Sequence, residues 1–551
     1  MAHATTSAQK PLILAPWLWG GLVAVVGVID MWGSRFNVNP DGISYIEMAQ
    51  HAVAGGPDGF INGYWSPGYP ILMAPILRLV GHDWVTAVPA LHVVNLALFL
   101  LAGWLFTRVL RATSADAFRR FAAPVGTAVY LAIAIKCIGL GLVTPDVAVM
   151  LVVLAAAACC LQLEHSLQPS RVAVALGATL ATGYWLKGIM LPLGAMLLVL
   201  LWLLPPHTER ARRKIGLAAA VFVVGCLPLV VMVSARVGRI TMGEVGRLNY
   251  AWEVDGVVPF VGWVGDTTPR FGAPLHPPRV LQAEPQTLEF ARPIRATYPL
   301  WFDPSYWYAG VDAKFDAAGQ WRALRDGITD FRWLVELTAV VVIGMLTFWF
   351  ATTRGVRDPD RVRIPMVLAL WSGGATMVYA LVHIEPRYLA GFLLVAVIAI
   401  WNGLRRRVPR QRFGIVVTFA VVAMLVAVAD NMLENTGGFP PGYLPDYLVD
   451  GEKLRAAGIA RGDPVAMVGD AFEAYSAFAI GSPIIAQVMD SAGFWQLDAA
   501  GRSELQGRLS GAGVKAILAN NVDASMVTEG WRILARSDSS NLGVLLLRRL
   551  E

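Results

Sequence analysis

Charge is what this chain of 551 residues has least of: Asp, Glu, Lys and Arg make up 15% of it, against about 25% in an average soluble domain. Hydrophobic residues make up 56% and the mean hydropathy is +0.55, which excludes an ordinary soluble or disordered protein and indicates an integral membrane protein. Cysteine is scarce too. Cys137, Cys159, Cys160 and Cys226 all fall in apolar runs, where they read as small buried hydrophobes and imply neither a disulfide framework nor a zinc site. There is no P-loop and no dinucleotide fingerprint, so nothing in the chain asks for a nucleotide. Repeats and low-complexity segments are missing. So is a small-residue cleavage site after the first apolar run, which follows a polar start with Lys10; that run is expected to stay as a span rather than leave as a signal peptide.

What is present is a series of apolar runs. They predict about eleven spans, near 11–29, 87–107, 121–141, 147–163, 172–184, 189–204, 215–235, 332–352, 364–382, 389–403 and 413–430. The net charge of +6 does not indicate nucleic acid, because the arginines gather in short connections: Arg108, Arg111, Arg119 and Arg120; Arg210, Arg212, Arg213 and Lys214; Arg354, Arg357, Arg361 and Arg363; Arg405, Arg406, Arg407, Arg410 and Arg412. Such loops are cytoplasmic. The expected topology is a multi-pass protein of a bacterial inner membrane with a cytoplasmic N-terminus. Its opposite face receives the 30–86 loop, the turns at Thr144-Pro145-Asp146 and Tyr184 to Lys187, a long 236–331 loop, the stretch His383 to Tyr388, and everything after residue 431.

Within the 30–86 loop, Ile43, Ile46, Ala49 and Val53 recur at helical spacing, and Tyr69 to Val80 is a second, more apolar helix too short to cross. Both suit helices lying along the interface, with Tyr64, Trp65, Tyr69 and Trp84 as headgroup anchors. After the Gly437 to Gly442 linker, Pro464–Val468, Val514–Ala519 and Gly543–Leu547 read as strands and Asp498–Leu509 as a helix. The expected architecture is a polytopic α-helical membrane domain over 1–430 and a small extracytoplasmic α/β domain over 431–551.

Several charged residues at the outer edge of the spans have two readings each. Asp41 is a general base held in a partly dry pocket, or a Pro-Asp-Gly turn residue ahead of a Ser44-x-x-Glu47 capping box; local sequence favours the turn. Asp146 binds a metal, a sugar hydroxyl or Lys136, or caps a helix after Pro145. Lys187 pairs with a phosphate or snorkels to the interface. In His383-Ile-Glu-Pro-Arg-Tyr388, Pro386 breaks the span; Arg387 offers a donor fork to phosphate and Glu385 orients it or meets a sugar, or the two simply close a helix hairpin. His383 and His51 lack a metal motif, the weak pair Glu47 and His51 aside. In the 236–331 loop, Glu244, Arg247, Tyr250, Trp252, Glu253, Asp255 and the run Tyr298 to Tyr308 fit sugar binding or an interfacial belt equally.

Taken in order, Asp41 with Tyr45 and Ala49, Tyr64-Trp-Ser-Pro-Gly-Tyr-Pro70, Thr144-Pro-Asp146, Lys187 and His383-Ile-Glu-Pro-Arg-Tyr388 resemble the GT-C superfamily of polyprenyl-phosphate-sugar-dependent glycosyltransferases. The likeness is to its bacterial branch of protein O-mannosyltransferases, aminoarabinose transferases and galacturonosyltransferase-like proteins, and it covers roughly residues 11–430. It implies Asp41 as catalytic base and Lys187 and Arg387 as ligands of the donor phosphate. Asp146 and Glu385, with Tyr45, Tyr64 and Tyr388, would be sugar or acceptor contacts. The implied partners are a polyprenyl-phosphate-linked sugar, a lipid, glycan or protein acceptor, and membrane lipids. No cofactor is certain. Gly42 follows Asp41 where aminoarabinose and mannosyl transferases commonly carry a second acid, so a divalent metal stays open. Two rival readings remain: a secondary transporter, disfavoured because the charges sit at one outer edge and not at the midplane, and an O-antigen ligase or polymerase using Arg239, Arg247, His276 and Arg279.

Overall fold

The computed structural model describes residues 16–81, 83–114, 119–163, 167–204, 209–259, 263, 269–290, 293–329, 332, 359–403, 418, 420–430, 432, 444–472, 474–522, 531–535 and 544–550. The expected span at 332–352, apart from residue 332, and the Gly437–Gly442 linker lie outside the described residues. Among the described residues, four helical stretches are long and apolar enough to cross a membrane: Trp84–Thr113, Arg119–Cys137, Asp146–Leu163 and Glu209–Val237. Shorter apolar helices include Trp17–Gly33, Met190–Leu203, Pro386–Asn402 and Ala420–Asp430.

The helices that frame the site are α1 (Pro16–Gly33), α2 (Pro40–Gly55), α3 (Gly68–Val80), α4 (Trp84–Thr113), α5 (Ala122–Cys137), α6 (Asp146–Leu163), α7 (Pro169–Leu186), α8 (Met190–Leu203), α9 (Glu209–Val237) and α10 (Val245–Glu253). The short turns α11 (Pro299–Phe302) and α12 (Pro304–Trp307) follow, then α13 (Pro359–Ala380) and α14 (Pro386–Gly403). α14 is central: it packs against α4, α5, α6 and α13. Gly391 permits this, because a Cβ there would lie 3.1 Å from the Met150 Cα of α6. Outward faces stay apolar, as on α9, where Val223, Val224, Leu227 and Val231 are exposed. A face of that kind suits lipid.

Buried polar side chains of α4 position the turn before α6. His92 reaches the carbonyls of Leu140 and Asn37 at 2.6 and 2.9 Å, and Asn95 donates to Leu142 O at 2.9 Å while accepting from the Tyr69 hydroxyl. The Asp30 carboxylate takes the Leu140 N–H at 2.7 Å. In an apolar bundle such groups must be paired, and here pairing fixes the chain that carries Thr144-Pro145-Asp146.

The segment between α1 and α4 departs from expectation. Residues Gly42 to Ala49 of α2 are all buried, so α2 does not lie on an interface with one face exposed. Tyr64, Trp65, Tyr69 and Trp84 are likewise buried, not headgroup anchors. The cause is a cover: Trp65 meets Trp301 edge-on, and Trp84 packs on Phe478 at 4.4 Å. The Ser44-x-x-Glu47 capping box is not formed either. α2 starts earlier, with Asn39 as N-cap and Pro40 in its first turn.

Beyond the bundle, a sheet is built from β1 (Arg279–Gln282), β2 (Thr287–Glu289), β3 (Val465–Val468), β4 (Ile484–Val488), β5 (Ala516–Val522), β6 (Arg532–Ala535) and β7 (Val544–Arg549), in the order β1-β2-β4-β3-β5-β7-β6. β3 runs parallel to β4 and β5, and the other pairs are antiparallel. The expected strands correspond to β3, β5 and β7, and the expected helix to Ala499–Gly511, capped by Asp498, which accepts from the Gly501 N–H. Strands β1 and β2 come from the 236–331 loop, so that loop and the tail share one sheet.

Candidate functional site

Four helix ends converge on one group of side chains. Asp41 is in the first turn of α2, Asp146 opens α6, Lys187 terminates α7, and Arg387 stands behind Pro386 in the first turn of α14. Lys187 Nζ is 2.7 Å from Asp146 Oδ1, and Thr144 Oγ1 donates to Asp146 Oδ2 at 2.8 Å. The Arg387 guanidinium faces three carboxylates: Asp41 Oδ2 at 3.3 Å, Asp146 Oδ2 at 3.8 Å, and both oxygens of Glu385. The Tyr388 hydroxyl donates to Glu385 Oε1 at 3.0 Å, and Lys187 Nζ sits 3.7 Å from the centre of the Tyr388 ring. Gly68 brings the start of α3 against this corner, since a Cβ there would fall 2.6 Å from the carbonyl oxygen of Trp185.

Three carboxylates against two cations leave the group with one negative charge in excess. Asp41 and Glu385 respond differently. Burial raises the Asp41 carboxyl; Arg387 pulls it back, and Glu385 and Asp146 add to the rise. Burial also acts upward on Glu385, but hydrogen bonds from His383 and Arg387 outweigh it and hold that carboxyl below its ordinary value. Asp41 is therefore the better proton acceptor of the two, and Glu385 the fixed counter-ion.

Tyr64 reaches the same space from the side of α10. Its hydroxyl donates to Asn249 Oδ1 at 2.8 Å, and its ring packs against Trp65, Trp252 and Trp301. Glu253, at the end of α10, is 3.9 Å from His383 Nδ1, whose other nitrogen lies 3.2 Å from Glu385. Tyr45 is set into rings: Trp65 and Tyr69 meet it edge-on at 5.1 and 5.7 Å. The run Tyr298 to Tyr308 is packing, with Trp307 and Tyr308 buried. Tyr298 and Trp301 of this run line a small cavity with Glu47, Thr297 and Phe472. Sequence reasoning missed Asn249, His92 and Asn95 as members or braces of the site; single polar residues in apolar or aromatic surroundings carry no periodic signal. Among the described residues, no group of three or more His, Cys, Asp and Glu is arranged to hold a metal ion.

Glu47 ties α2, and with it Asp41, to the 236–331 loop. Its Oε1 accepts from the Thr297 N–H at 2.8 Å and the Thr297 hydroxyl at 2.6 Å. Burial outweighs those two bonds and pushes the carboxyl up from 4.5 to about 7. Between those values the folded protein keeps a proton that the unfolded chain has released, so stability is greatest on the acid side and is lost as pH rises toward 7. Thermal unfolding in detergent should therefore move down by a few °C between about pH 5 and about pH 8 in the wild type, and by clearly less in Glu47→Gln. Equal slopes for the two proteins would show that Glu47 is not the titrating group.

A scan of family models finds no match to the chain, and a search of curated proteins finds none either. Solved structures do match. ArnT from Cupriavidus metallidurans in the apo state aligns with a TM-score of 0.55 at 14% identity, covering 96% of this chain and 98% of that one. The same protein bound to undecaprenyl phosphate gives 0.55 and 14%, over 97% and 98%. The archaeal oligosaccharyltransferase AglB from Archaeoglobus fulgidus, in complex with an inhibitory peptide and a dolichol-phosphate, aligns with a TM-score of 0.52 at 12% identity, over 92% of this chain and 69% of that one. At such identities the likeness is one of fold, shared with ArnT and with the archaeal oligosaccharyltransferase.

Proposed function

We propose that this protein is a membrane glycosyltransferase that moves a sugar from a polyprenyl-phosphate donor to an acceptor hydroxyl at the extracytoplasmic face, with inversion. The observation that carries the reading is the meeting of Asp41, Asp146, Lys187 and Arg387, from four separate helix ends, within one ion-paired cluster. Two of the matched structures contain undecaprenyl phosphate or dolichol-phosphate, and a phosphate ester is what Lys187 and Arg387 are chemically suited to hold.

The residues divide the work as follows. Arg387 and Lys187 hold the phosphate and stabilise the charge that grows on it as the anomeric C–O bond breaks. Asp41 takes the acceptor proton as the acceptor oxygen bonds to the anomeric carbon from the opposite side. Glu385 and Tyr388 keep the guanidinium oriented, and Asp146 keeps Lys187 at the cluster. Tyr64 and Glu253, on the α10 side, border the space left for sugar and acceptor. Tyr45 acts through packing, beneath Trp65. The domain division at residue 430 is kept in this reading, with the sheet as an outer cap to which β1 and β2 contribute.

The ligase or polymerase reading is less well supported. Arg239 and Arg247 both pair with Glu244, His276 stacks on Tyr306, and Arg279 pairs with Glu289. Among the described residues none of these four pairs with Asp41, Asp146, Lys187 or Arg387, so a catalytic set built on them lacks a common centre. The reading is tested by incubating the purified protein in lipid with membrane extracts and radiolabelled polyprenyl-phosphate sugars. Label should move to an acceptor, with release of polyprenyl phosphate and inverted anomeric configuration; retained configuration would exclude single displacement.

A further inference from the structure

Tyr379, the penultimate residue of α13, has no part in the chemistry described above. It is 7% exposed, and its hydroxyl has no hydrogen-bond partner among the described residues. Its ring stacks on that of Tyr388 with centroids 5.2 Å apart and planes 27° apart. The Tyr388 ring is the one that carries the Lys187 ammonium at 3.7 Å. Two stacked tyrosines thus stand beside the cluster in different states. The Tyr388 hydroxyl is used, donating to Glu385; the Tyr379 hydroxyl is not.

Buried hydroxyls are paired in the great majority of proteins, and one left unpaired costs stability. The cost makes sense where a ligand completes the pair. A phenol donates one proton and adds no charge. Stacked on the Tyr388 ring that carries Lys187, it would reach the anion without first having to leave a carboxylate.

We propose that Tyr379 is a third ligand of the donor phosphate, donating its hydroxyl hydrogen to a phosphate oxygen in the donor complex. The inference rests on the phosphate reading of Lys187 and Arg387. When the anomeric C–O bond breaks, its electron pair stays on the phosphate oxygen and the diester monoanion becomes a monoester that carries more charge. The Tyr379 hydrogen bond strengthens as that charge grows, so it favours the transition state over the bound donor. The acceptor proton goes to Asp41, and nothing else is consumed.

Tyr379→Phe tests this, because it keeps the ring on Tyr388 and removes one oxygen. Two opposite effects are expected. The unliganded variant unfolds at a temperature equal to or above that of the wild type, because the unpaired hydroxyl is gone. Its affinity for undecaprenyl phosphate falls about tenfold, and the stabilisation that this lipid gives shrinks to match. With a sugar donor, kcat falls along with affinity. Wild-type affinity for undecaprenyl phosphate in the Phe variant would overturn the assignment. A control on the wild type separates the two proposals: it should bind undecaprenyl phosphate much more tightly than undecaprenol. If it does not, the phosphate reading itself falls; if it does and Tyr379→Phe binds normally, only the role of Tyr379 is lost.

Discussion

Asp41→Asn is expected to lower sugar transfer by about 10²–10⁴-fold, the usual contribution of a positioned general base, without loss of undecaprenyl phosphate binding. The binding half follows from the contacts of Arg387. Its guanidinium is shared between Glu385, which holds it through two oxygens, and Asp41, which meets it once at 3.3 Å. An entering phosphate competes for the same donor, and the single contact to Asp41 is the easier to give up. Removing the Asp41 charge removes a competitor, so the variant should bind the lipid phosphate as tightly as the wild type or several-fold more tightly. By linkage, phosphate that draws Arg387 away leaves the Asp41 carboxylate less held and more basic. The base is then most effective with the donor in place. Single-turnover transfer and lipid binding measured on one preparation decide the matter. Undiminished transfer would remove Asp41 from the chemistry, whereas transfer and binding lost together would make it a structural brace of the phosphate site.

The apolar runs were legible because charge is so sparse: spans at 87–107, 147–163 and 215–235 fall within α4, α6 and α9. The alternation of arginine-rich connections then placed Asp41, Asp146, Lys187 and Arg387 at one end of the bundle, although single local signals such as Pro-Asp-Gly favoured ordinary turns. The partners of those residues were not legible. Glu47 meets Thr297 across 250 positions, and long-range pairing of that kind leaves no local pattern. His92, Asn95 and Tyr379 sit in apolar helices, where one polar residue reads as noise. Aromatic richness misled for a different reason. Trp65 or Trp84 has the same composition in a headgroup belt as under a cover, and only the folded position of Trp301 and Phe478 distinguishes the two.

The pair of Lys187 and Asp146 separates structural need from chemical need. Asp146 is 3% exposed, and its carboxylate is held by Lys187 at 2.7 Å, by Thr144, and more distantly by Arg387. Lys187→Met should therefore leave a buried carboxylate short of its main partner, at a cost of about 3–5 kcal/mol, typical of breaking a buried pair from one side. Folded yield and thermal stability should drop sharply. Adding Asp146→Asn removes the stranded charge, keeps a group that can still bond Thr144, and should restore most of the stability, because replacing both members of a buried pair is often close to neutral. Transfer should not return with it, since the phosphate has lost one of its two cations. Stability from thermal unfolding and transfer from labelled donor, followed across the wild type, both single variants and the double variant, form one thermodynamic cycle. Recovery of both quantities in the double variant would make the pair a brace for the ends of α6 and α7 and leave Arg387 as the sole charged ligand of the donor.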